Sequence, residues 1–268
     1  MPRPRRSPPL LLLLVPLLAL VVVLTTAGGP RPYQDIHRRG WVSACAPPNA
    51  LPFGSRRGEQ RGIRVDLAQV VADRLGVALR VEWVTESVQR RRVGCDLVMD
   101  VFLDYQALKD ARVIPTVPYQ RTGVALALRP GFGAVERLED LPEGARVAAL
   151  VRSLAQTVLG RKGLRVIPFG FEDEMLEAVA RGEIDAAAAT PASIGWYNHE
   201  HPDRPLAIAP VYEHEPELAW NLAVGMRRSD KDFRREVDRI VRAMLADGTV
   251  ARILAAYGIE HRPPGGRS

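Results

Sequence analysis

Residues 41–101 alternate between short apolar runs and helical patterns, and this alternation limits the fold more than any other feature of the chain. Three apolar runs have the length and composition of buried strands, at residues 41–45, 77–84 and 95–101. Apolar residues recur at helical spacing over 63–75 and stop before Gly76, and a short basic helix is expected over 85–94. The order strand, helix, strand, helix, strand predicts a parallel sheet with right-handed crossovers.

The same alternation returns between residues 146 and 211. Four further strands are predicted in that region, at residues 146–150, 165–169, 184–189 and 206–211. The helices between them begin at Ser153, which is a favourable N-cap residue, and cover 172–180 and 191–197. A strand predicted over 123–128 ends at a Pro-Gly break, which places the first crossing between two lobes near residues 129–131.

The last part of the chain is predicted to return to the first lobe. An extended segment over 218–226 precedes two amphipathic helices, one over 233–246 capped by Ser229 and one over 250–257. The sequence therefore predicts two parallel-sheet α/β lobes, joined by two hinge crossings, with a cleft between them. The expected boundaries are 41–127 for lobe one, 128–218 for lobe two, and 219–268 for the returning segment and its helices.

The first 27 residues have the pattern of a secretory signal peptide. Arg3, Arg5 and Arg6 precede an apolar run over 10–24, and small residues at 25–27 offer a cleavage site. The apolar run is short for a membrane span, although a single N-terminal anchor is the alternative. Residues 28–40 are rich in Gly, Pro and Arg and are expected to form a mobile lead. We expect a periplasmic mature protein with no membrane anchor.

Removal of that segment lowers the positive charge of the protein. The full chain carries a formal charge of +6, and residues 1–27 contain three Arg and no acidic residue, so the mature charge is 6 − 3, or +3. This is too small a charge for a nucleic-acid-binding surface, so no nucleic-acid partner is expected. It permits docking on an acidic protein.

Two cysteines, Cys45 and Cys95, stand at the end of one predicted strand and the start of another. An even, small number of cysteines in an exported protein favours one disulfide bond. If the two strands are neighbours in one sheet, the two sulfurs can meet across its edge. Two free buried thiols are the alternative.

The loop after the first strand is the best candidate for a binding element. Residues 42–54 read VSACAPPNALPFG, so the strand ends in a rigid, Pro-rich loop with an apolar tip. In open α/β sheets, ligands bind at the carboxyl ends of the strands. This loop therefore belongs at the rim of the predicted cleft.

Four segments together resemble the type II periplasmic solute-binding proteins of family 3, the amino-acid-binding class. They are RGIRVDLAQVVADRLG at 61–76, GCDLVMDV at 94–101, ARGEIDAAAATPAS at 180–193 and the C-terminal stretch 224–259. The resemblance implies the type II periplasmic binding fold and a ligand cleft between the lobes. Three features depart from amino-acid binders: Arg112 is outside the usual context of the carboxylate clamp, Val151-Arg152-Ser153 replaces the anion loop, and no carboxylate follows the strand that ends at Ala189.

A narrower resemblance is to the binding proteins associated with quinoprotein dehydrogenases, the J proteins encoded beside periplasmic methanol dehydrogenases. CAPPNALPFG at 45–54, GCDLVMDV at 94–101 and TVPYQRTGVALAL at 116–128 carry this resemblance. The chain departs from the pattern at Pro47, where Asp is usual, and at Asp100, where Gly is usual. Membership would imply a non-catalytic accessory factor for maturation or activation of the dehydrogenase, with the dehydrogenase and its cytochrome c as partners.

The residues expected to line the cleft, for a small solute or a protein partner, come from the strand ends and from these motifs. They are Pro48, Asn49, Leu51, Phe53, Asp100, Tyr105, Tyr119, Arg121, Thr122, Ser153 and Thr190. Arg121 is the best single polar contact, and a salt bridge that braces the crossing strands is the equal alternative. The aromatic residues Trp196, Tyr197, Tyr212 and Trp220 are expected in the core, or at an interface if they are exposed together.

No catalytic motif, metal site or cofactor is expected. The chain has no Gly-x-Ser-x-Gly elbow, P-loop or HExxH motif. His199, His201 and His214 fit an exposed polar region better than a metal site. Three functions therefore compete: the dehydrogenase accessory factor, a receptor that delivers an unusual solute to an uptake transporter, and an enzyme of the cyclohexadienyl dehydratase type. The last has no supporting acid/base pair in the sequence.

Overall fold

The structure is a computed structural model that describes residues 33–85, 93–103, 113–227 and 230–264. The predicted signal peptide, residues 86–92 of the basic helix predicted over 85–94, Arg112 and the candidate Tyr105 lie outside the described residues. None of the helices in the described ranges is long and apolar enough to cross a membrane.

The first part of the chain builds lobe one. It contains, in order, helix α1 (Tyr33–Arg39), strand β1 (Trp41–Ala46), strands β2 (Asn49–Ala50) and β3 (Gly54–Ser55), helix α2 (Ile63–Leu75), and strands β4 (Ala78–Trp83), β5 (Leu97–Phe102) and β6 (Ile114–Gly123). Strands β2 and β3 form a small antiparallel hairpin at the tip of the loop after β1.

The middle part builds lobe two and the end returns to lobe one. Lobe two contains β7 (Ala125–Leu128), β8 (Arg146–Leu150), α3 (Leu154–Arg161), β9 (Arg165–Phe169), α4 (Glu172–Ala180), β10 (Ala186–Ala189), α5 (Pro191–Glu200) and β11 (Ala207–Ala209). The returning elements are β12 (Ala219–Met226), α6 (Lys231–Ala246) and α7 (Thr249–Ala255). Short 3-10 turns cover Leu138–Asp140, Val211–Glu213 and Pro216–Leu218.

Each lobe has a five-stranded mixed sheet. The order in lobe one is β4-β1-β5-β12-β6, and the order in lobe two is β11-β7-β10-β8-β9. The β1–β4, β1–β5, β8–β9 and β8–β10 pairs are parallel, as predicted, whereas β12 and β7 run antiparallel to their neighbours. The predicted two-lobed α/β fold is confirmed, with antiparallel strands added at the positions where the chain crosses between lobes.

The sequence patterns explain most element boundaries. Helix α2 has the predicted bounds, and Gly76 ends it with a φ of 71°, a left-handed conformation that glycine adopts without steric cost. Strand β10 is four alanines, all buried, because it lies between β7 and β8 in the sheet and α4 packs on it. Helix α6 buries the predicted stripe that includes Phe233, Val237 and Ile240.

Three predicted boundaries were wrong. Residues 33–39 of the expected mobile lead form α1, because Ile36 is buried in the core of lobe one. The first crossing is at Val124 rather than near residues 129–131, since β6 pairs in the first sheet and β7 in the second. Strand β6 begins at Ile114, inside the predicted loop, because β12 supplies an antiparallel partner along its whole length.

The predicted cap Ser229 lies outside the described residues, and Asp230 accepts the capping hydrogen bond from the backbone of Phe233.

Two aspartates, each just before a strand, fasten the sheets at the ends that face away from the cleft. Asp96 precedes β5 and accepts hydrogen bonds from the backbone and hydroxyl of Ser43, at 2.9 and 2.7 Å, and from Arg39. Asp185 precedes β10 and binds the guanidinium groups of Arg129 and Arg146 at 3.2 and 3.1 Å. The hydrogen bonds from Arg146 hold the pKa of the Asp185 carboxyl below its usual value. Both aspartates are therefore structural.

The predicted disulfide bond is confirmed. Cys45 and Cys95 are joined, with 5.7 Å between their Cα atoms. Cys45 lies on β1 and Cys95 just before β5, so the bond ties two strands that are parallel neighbours. Together with Val84 the two cysteines form a small buried cluster of their own beneath the Pro-rich loop.

Candidate functional site

The loop after β1 folds over the start of α2. The backbone of Ile63 donates to the Pro52 carbonyl, and that of Arg64 to the Phe53 carbonyl, at 2.8 and 3.1 Å. Gly54 and Gly62 touch so closely that a Cβ on Gly62, at φ 95°, would lie 2.4 Å from the Gly54 Cα. The apolar tip of the loop is therefore held in one position at the carboxyl end of β1.

Asp100 is the centre of a polar cluster beneath this loop. Its carboxylate accepts a hydrogen bond from Arg64 Nε at 2.7 Å and another from the hydroxyl of Tyr119. The Arg64 guanidinium carbon also lies 5.2 Å from the centre of the Phe53 ring, within cation–π range. Burial and then the Asp100 charge raise the pKa of Tyr119 well above its usual value, so its hydroxyl remains a hydrogen-bond donor.

Lobe two closes this cluster with the first turn of α5. A small cavity lies between the lobes, lined by residues that include Phe53, Asp100, Tyr119, Thr122 and Pro191. Its volume is about 30 Å³, which is about the space of one water molecule. The structure thus brings four predicted cleft residues together, in a space far smaller than an amino acid needs.

The two lobes touch along α5 and the segment after α7. Trp196 on α5 packs against Tyr257, with 5.9 Å between ring centres. The Tyr257 hydroxyl accepts from the backbone of Gly62 and donates to Asp66, at 2.8 and 2.7 Å. Tyr257 therefore links Trp196 of lobe two to the N-terminus of α2 in lobe one.

Arg121 does not reach the cleft. Its guanidinium binds Glu213 at 2.9 Å, where the chain crosses from lobe two back to lobe one. At the same place a Cβ on Gly123 would lie 2.2 Å from the Leu218 carbonyl oxygen, so the two crossing strands are packed tightly together. Of the two roles predicted for Arg121, the structure shows the salt bridge that braces the crossing strands.

The remaining predicted residues have diverse positions. Pro48 is half-buried and Asn49 is exposed on the β2–β3 hairpin, while Leu51 packs against the core of lobe one. Ser153 and Thr190 are helix N-caps: they accept from the backbone of Gln156 and of Ser193, each at 3.1 Å. The cap at Ser153 is as predicted, and Ser153 does not line the small cavity beside Asp100.

Sequence reasoning missed Glu172, the first residue of α4. Its carboxylate accepts a hydrogen bond from the Ser193 hydroxyl at 2.9 Å and lies beside Thr190, at the end of β10. Burial raises the pKa of this carboxyl. The sequence has no carboxylate directly after β10, but Glu172 on α4 places one there. The one signal in the sequence was the position of Glu172 in the first turn of a predicted helix.

A larger cavity lies on the other side of the first turn of α5. It has a volume of about 280 Å³, and its wall includes Leu51 from lobe one with residues of α4 and α5. His201, from the group weighed as a metal site, stacks on Tyr197 with 4.3 Å between ring centres. Within the described ranges, no three His, Cys, Asp or Glu residues have a metal-binding arrangement.

Comparison with known families gives a clear match. The model of the bacterial extracellular solute-binding proteins, family 3, covers residues 42–260. The chain belongs to this family. The family match spans both lobes and the returning helices, as the architecture described above requires.

Individual relatives are distant. The glutamate-binding protein GluB of Corynebacterium glutamicum is 24% identical over 139 residues, which are 51% of this chain and 47% of GluB. The match therefore spans about half the length of that curated relative.

Two solved structures share the fold. An ancestral cationic amino acid solute-binding protein, AncCDT-1, has a TM-score of 0.71 at 19% identity and covers 84% of this chain and 99% of its own. The periplasmic binding protein XoxJ of Methylobacterium extorquens AM1 has a TM-score of 0.65 at 24% identity and covers 83% and 100%.

Proposed function

We propose that this family 3 protein is a non-catalytic periplasmic accessory factor that binds a quinoprotein alcohol dehydrogenase. The observation that carries the proposal is that, among the described residues, the cleft beside Asp100 leaves no room for a solute. Asp100 is bound by Arg64 and Tyr119, Arg121 is bound by Glu213, and the cavity beside Asp100 holds about 30 Å³. Typical small-molecule sites are roughly tenfold larger.

The loop that closes the cleft offers a surface for a protein partner. Asn49 and Ala50, which form β2 of the hairpin, are exposed, and the disulfide bond and the backbone contacts of Pro52 and Phe53 hold the loop in place. A rigid loop loses little entropy on binding, so its contacts contribute more fully to affinity. The shared CAPPNALPFG and PYQRTG motifs and the likeness to XoxJ support the same partner class.

The test is direct binding to a purified quinoprotein alcohol dehydrogenase from the same organism, measured by titration calorimetry. We expect a saturable complex that the Ala50→Glu variant weakens at least about tenfold, because a charge at a desolvated contact costs more than 1.4 kcal/mol. The matched control is Ala134→Glu, which adds the same charge at an exposed position of lobe two. Absence of a complex with the unaltered protein contradicts the proposal.

The second candidate is a receptor that delivers a small solute to an uptake transporter. Glu172 favours it, since a carboxylate at the end of β10 can bind an ammonium group as in a receptor for amines. The names of AncCDT-1 and GluB, as amino-acid-binding proteins, agree with this candidate. A solute that raises the melting temperature, in a protein that does not bind the dehydrogenase, would favour the receptor.

A further inference from the structure

The cavity of about 280 Å³ between Leu51 and helices α4 and α5 is the largest interlobe space described above. It has the volume of about nine water molecules, close to the lower end of the range for small-ligand sites. It is separate from the small cavity beside Asp100. Pro191 and Ala192 line the small cavity, whereas Ser193 and Trp196 line the larger one. The two therefore lie on different sides of the first turn of α5.

The ionisable residues of the wall are mainly acidic. Glu172, Asp173 and Glu200 line the cavity, and among the described residues of its wall His201 is the one imidazole and there is no Lys or Arg. In the ranges that the structure describes, no ion pair involves any of these three carboxylates. By contrast Glu177, on the same helix as Glu172, is paired with Arg204 at 2.7 Å. The described part of the wall thus gives the cavity a negative potential.

The rest of the wall is apolar and aromatic. Leu51 and Leu176 contribute aliphatic surface, and Trp196 and Tyr197 contribute rings. Aromatic rings attract cations by about 0.5 to 2 kcal/mol, and they also pack against methylene groups. A wall of this composition suits a ligand that has a charged nitrogen at one end and a hydrocarbon body.

We propose that this cavity binds a small organic cation, an amine or guanidine that carries no carboxylate. The carboxylates hold the charged nitrogen and the side chains of Leu51, Leu176 and Trp196 hold the hydrocarbon part. The same negative potential repels an α-carboxylate, and the described wall residues include no Lys or Arg to bind one. The site therefore selects an amine over the amino acid from which it derives by decarboxylation.

Agmatine and arginine form the matched probe pair, since they differ only in the α-carboxylate. Titration calorimetry on the purified protein should give agmatine a Kd at least about tenfold lower than that of arginine. Glu172→Gln preserves the acceptor for the Ser193 hydroxyl and removes the charge, so agmatine binding should weaken about tenfold. Glu143→Gln, an equal charge change on an exposed turn of lobe two, is the control and should leave the Kd unchanged.

Glu200→Gln, on the exposed last turn of α5, gives a second test if Glu172→Gln reduces folding. It should weaken agmatine binding at least about threefold. The proposal is overturned if agmatine shows no binding at millimolar concentration, if arginine binds as tightly, or if both cavity variants bind agmatine as the unaltered protein does. The inference does not rest on the dehydrogenase, because agmatine binding and dehydrogenase binding are separate titrations with separate outcomes.

Discussion

Gly195 and Gly258 are in van der Waals contact across the boundary between the two lobes. A Cβ on Gly195 would lie 2.5 Å from the Gly258 carbonyl oxygen, and a Cβ on Gly258 would lie 2.6 Å from that of Gly195. Gly195 lies on α5 of lobe two, and Gly258 follows α7, which packs on lobe one. This contact between the lobes therefore depends on two positions that have no side chain.

Gly195→Ala should separate the lobes at this contact. The added methyl group has backbone rather than a flexible side chain as its neighbour, so relief requires movement of α5 away from lobe one. Small-angle X-ray scattering should show a larger radius of gyration, and the cavity beside Asp100 should open. Gly160→Ala on α3 is the matched control: a Cβ there meets no atom within 4 Å, so we expect unchanged scattering and about 0.5 to 1 kcal/mol of added stability. Equal scattering from both variants would contradict the role of Gly195.

Asp100 combines an unfavourable backbone with a favourable side chain. Its φ is 54°, in the left-handed region that costs most residues about 1 to 2 kcal/mol, while its carboxylate holds Arg64 and Tyr119. Asp100→Ala should lose about 2 to 3 kcal/mol of unfolding free energy, because it removes charged hydrogen bonds and keeps the strain. Asp100→Gly should lose about 1 kcal/mol less, because glycine adopts this φ freely.

Urea denaturation of the two variants tests this difference. Asp100→Asn is the control for charge alone, since asparagine has the same shape and tolerates left-handed backbone. Alanine and glycine variants of equal stability would show that strain at position 100 is unimportant.

The disulfide bond should contribute strongly to stability. It closes a loop with a sequence separation of 50, for which the chain-entropy relation gives about 4 kcal/mol. The Cys45→Ala, Cys95→Ala double variant should therefore unfold at a much lower urea concentration, and a reductant should lower the midpoint of the unaltered protein alone. Thiol counting on the unfolded, unreduced protein should find no free thiol. A midpoint that is the same with and without reductant would contradict the prediction.

Asp247, between α6 and α7, should make stability depend on pH in the acid range. Hydrogen bonds from Thr249, then from Arg74, lower the pKa of its carboxyl to about 2. A carboxyl whose pKa is lower in the folded protein stabilises it above the unfolded pKa of about 4, and this contribution disappears as the pH falls towards 2. Asp247→Asn should be less stable than the unaltered protein at pH 6, and the difference should shrink between pH 4 and pH 2.

Thr249→Ala is the control for this effect. It removes the hydroxyl hydrogen bond to Asp247 and leaves the backbone hydrogen bond and Arg74, so it should show the same pH dependence with a smaller amplitude. A stability difference for Asp247→Asn that is constant from pH 6 to pH 2 would contradict the assignment.

The sequence alone determined the order of the elements and the two-lobed fold. The apolar period and the glycine ends placed α2, β8, β9 and α4 with their observed bounds, because local spacing and capping decide such elements. The disulfide bond was also predictable, since Cys45 and Cys95 flank strands that the alternation makes parallel neighbours.

Only the tertiary structure decided which side chains meet at the lobe boundary. Arg121 binds Glu213 because two crossing strands run side by side there, a contact between residues that are 92 positions apart. Glu172, on α4, lies at the end of β10 and accepts a hydrogen bond from Ser193. Arg64, on α2, donates a hydrogen bond to Asp100. Local patterns carry no record of such contacts, because these contacts arise from the packing of elements that are distant in the chain. The sequence therefore placed the cleft at the strand ends, and the packing of the elements decided which partners its predicted polar residues bind.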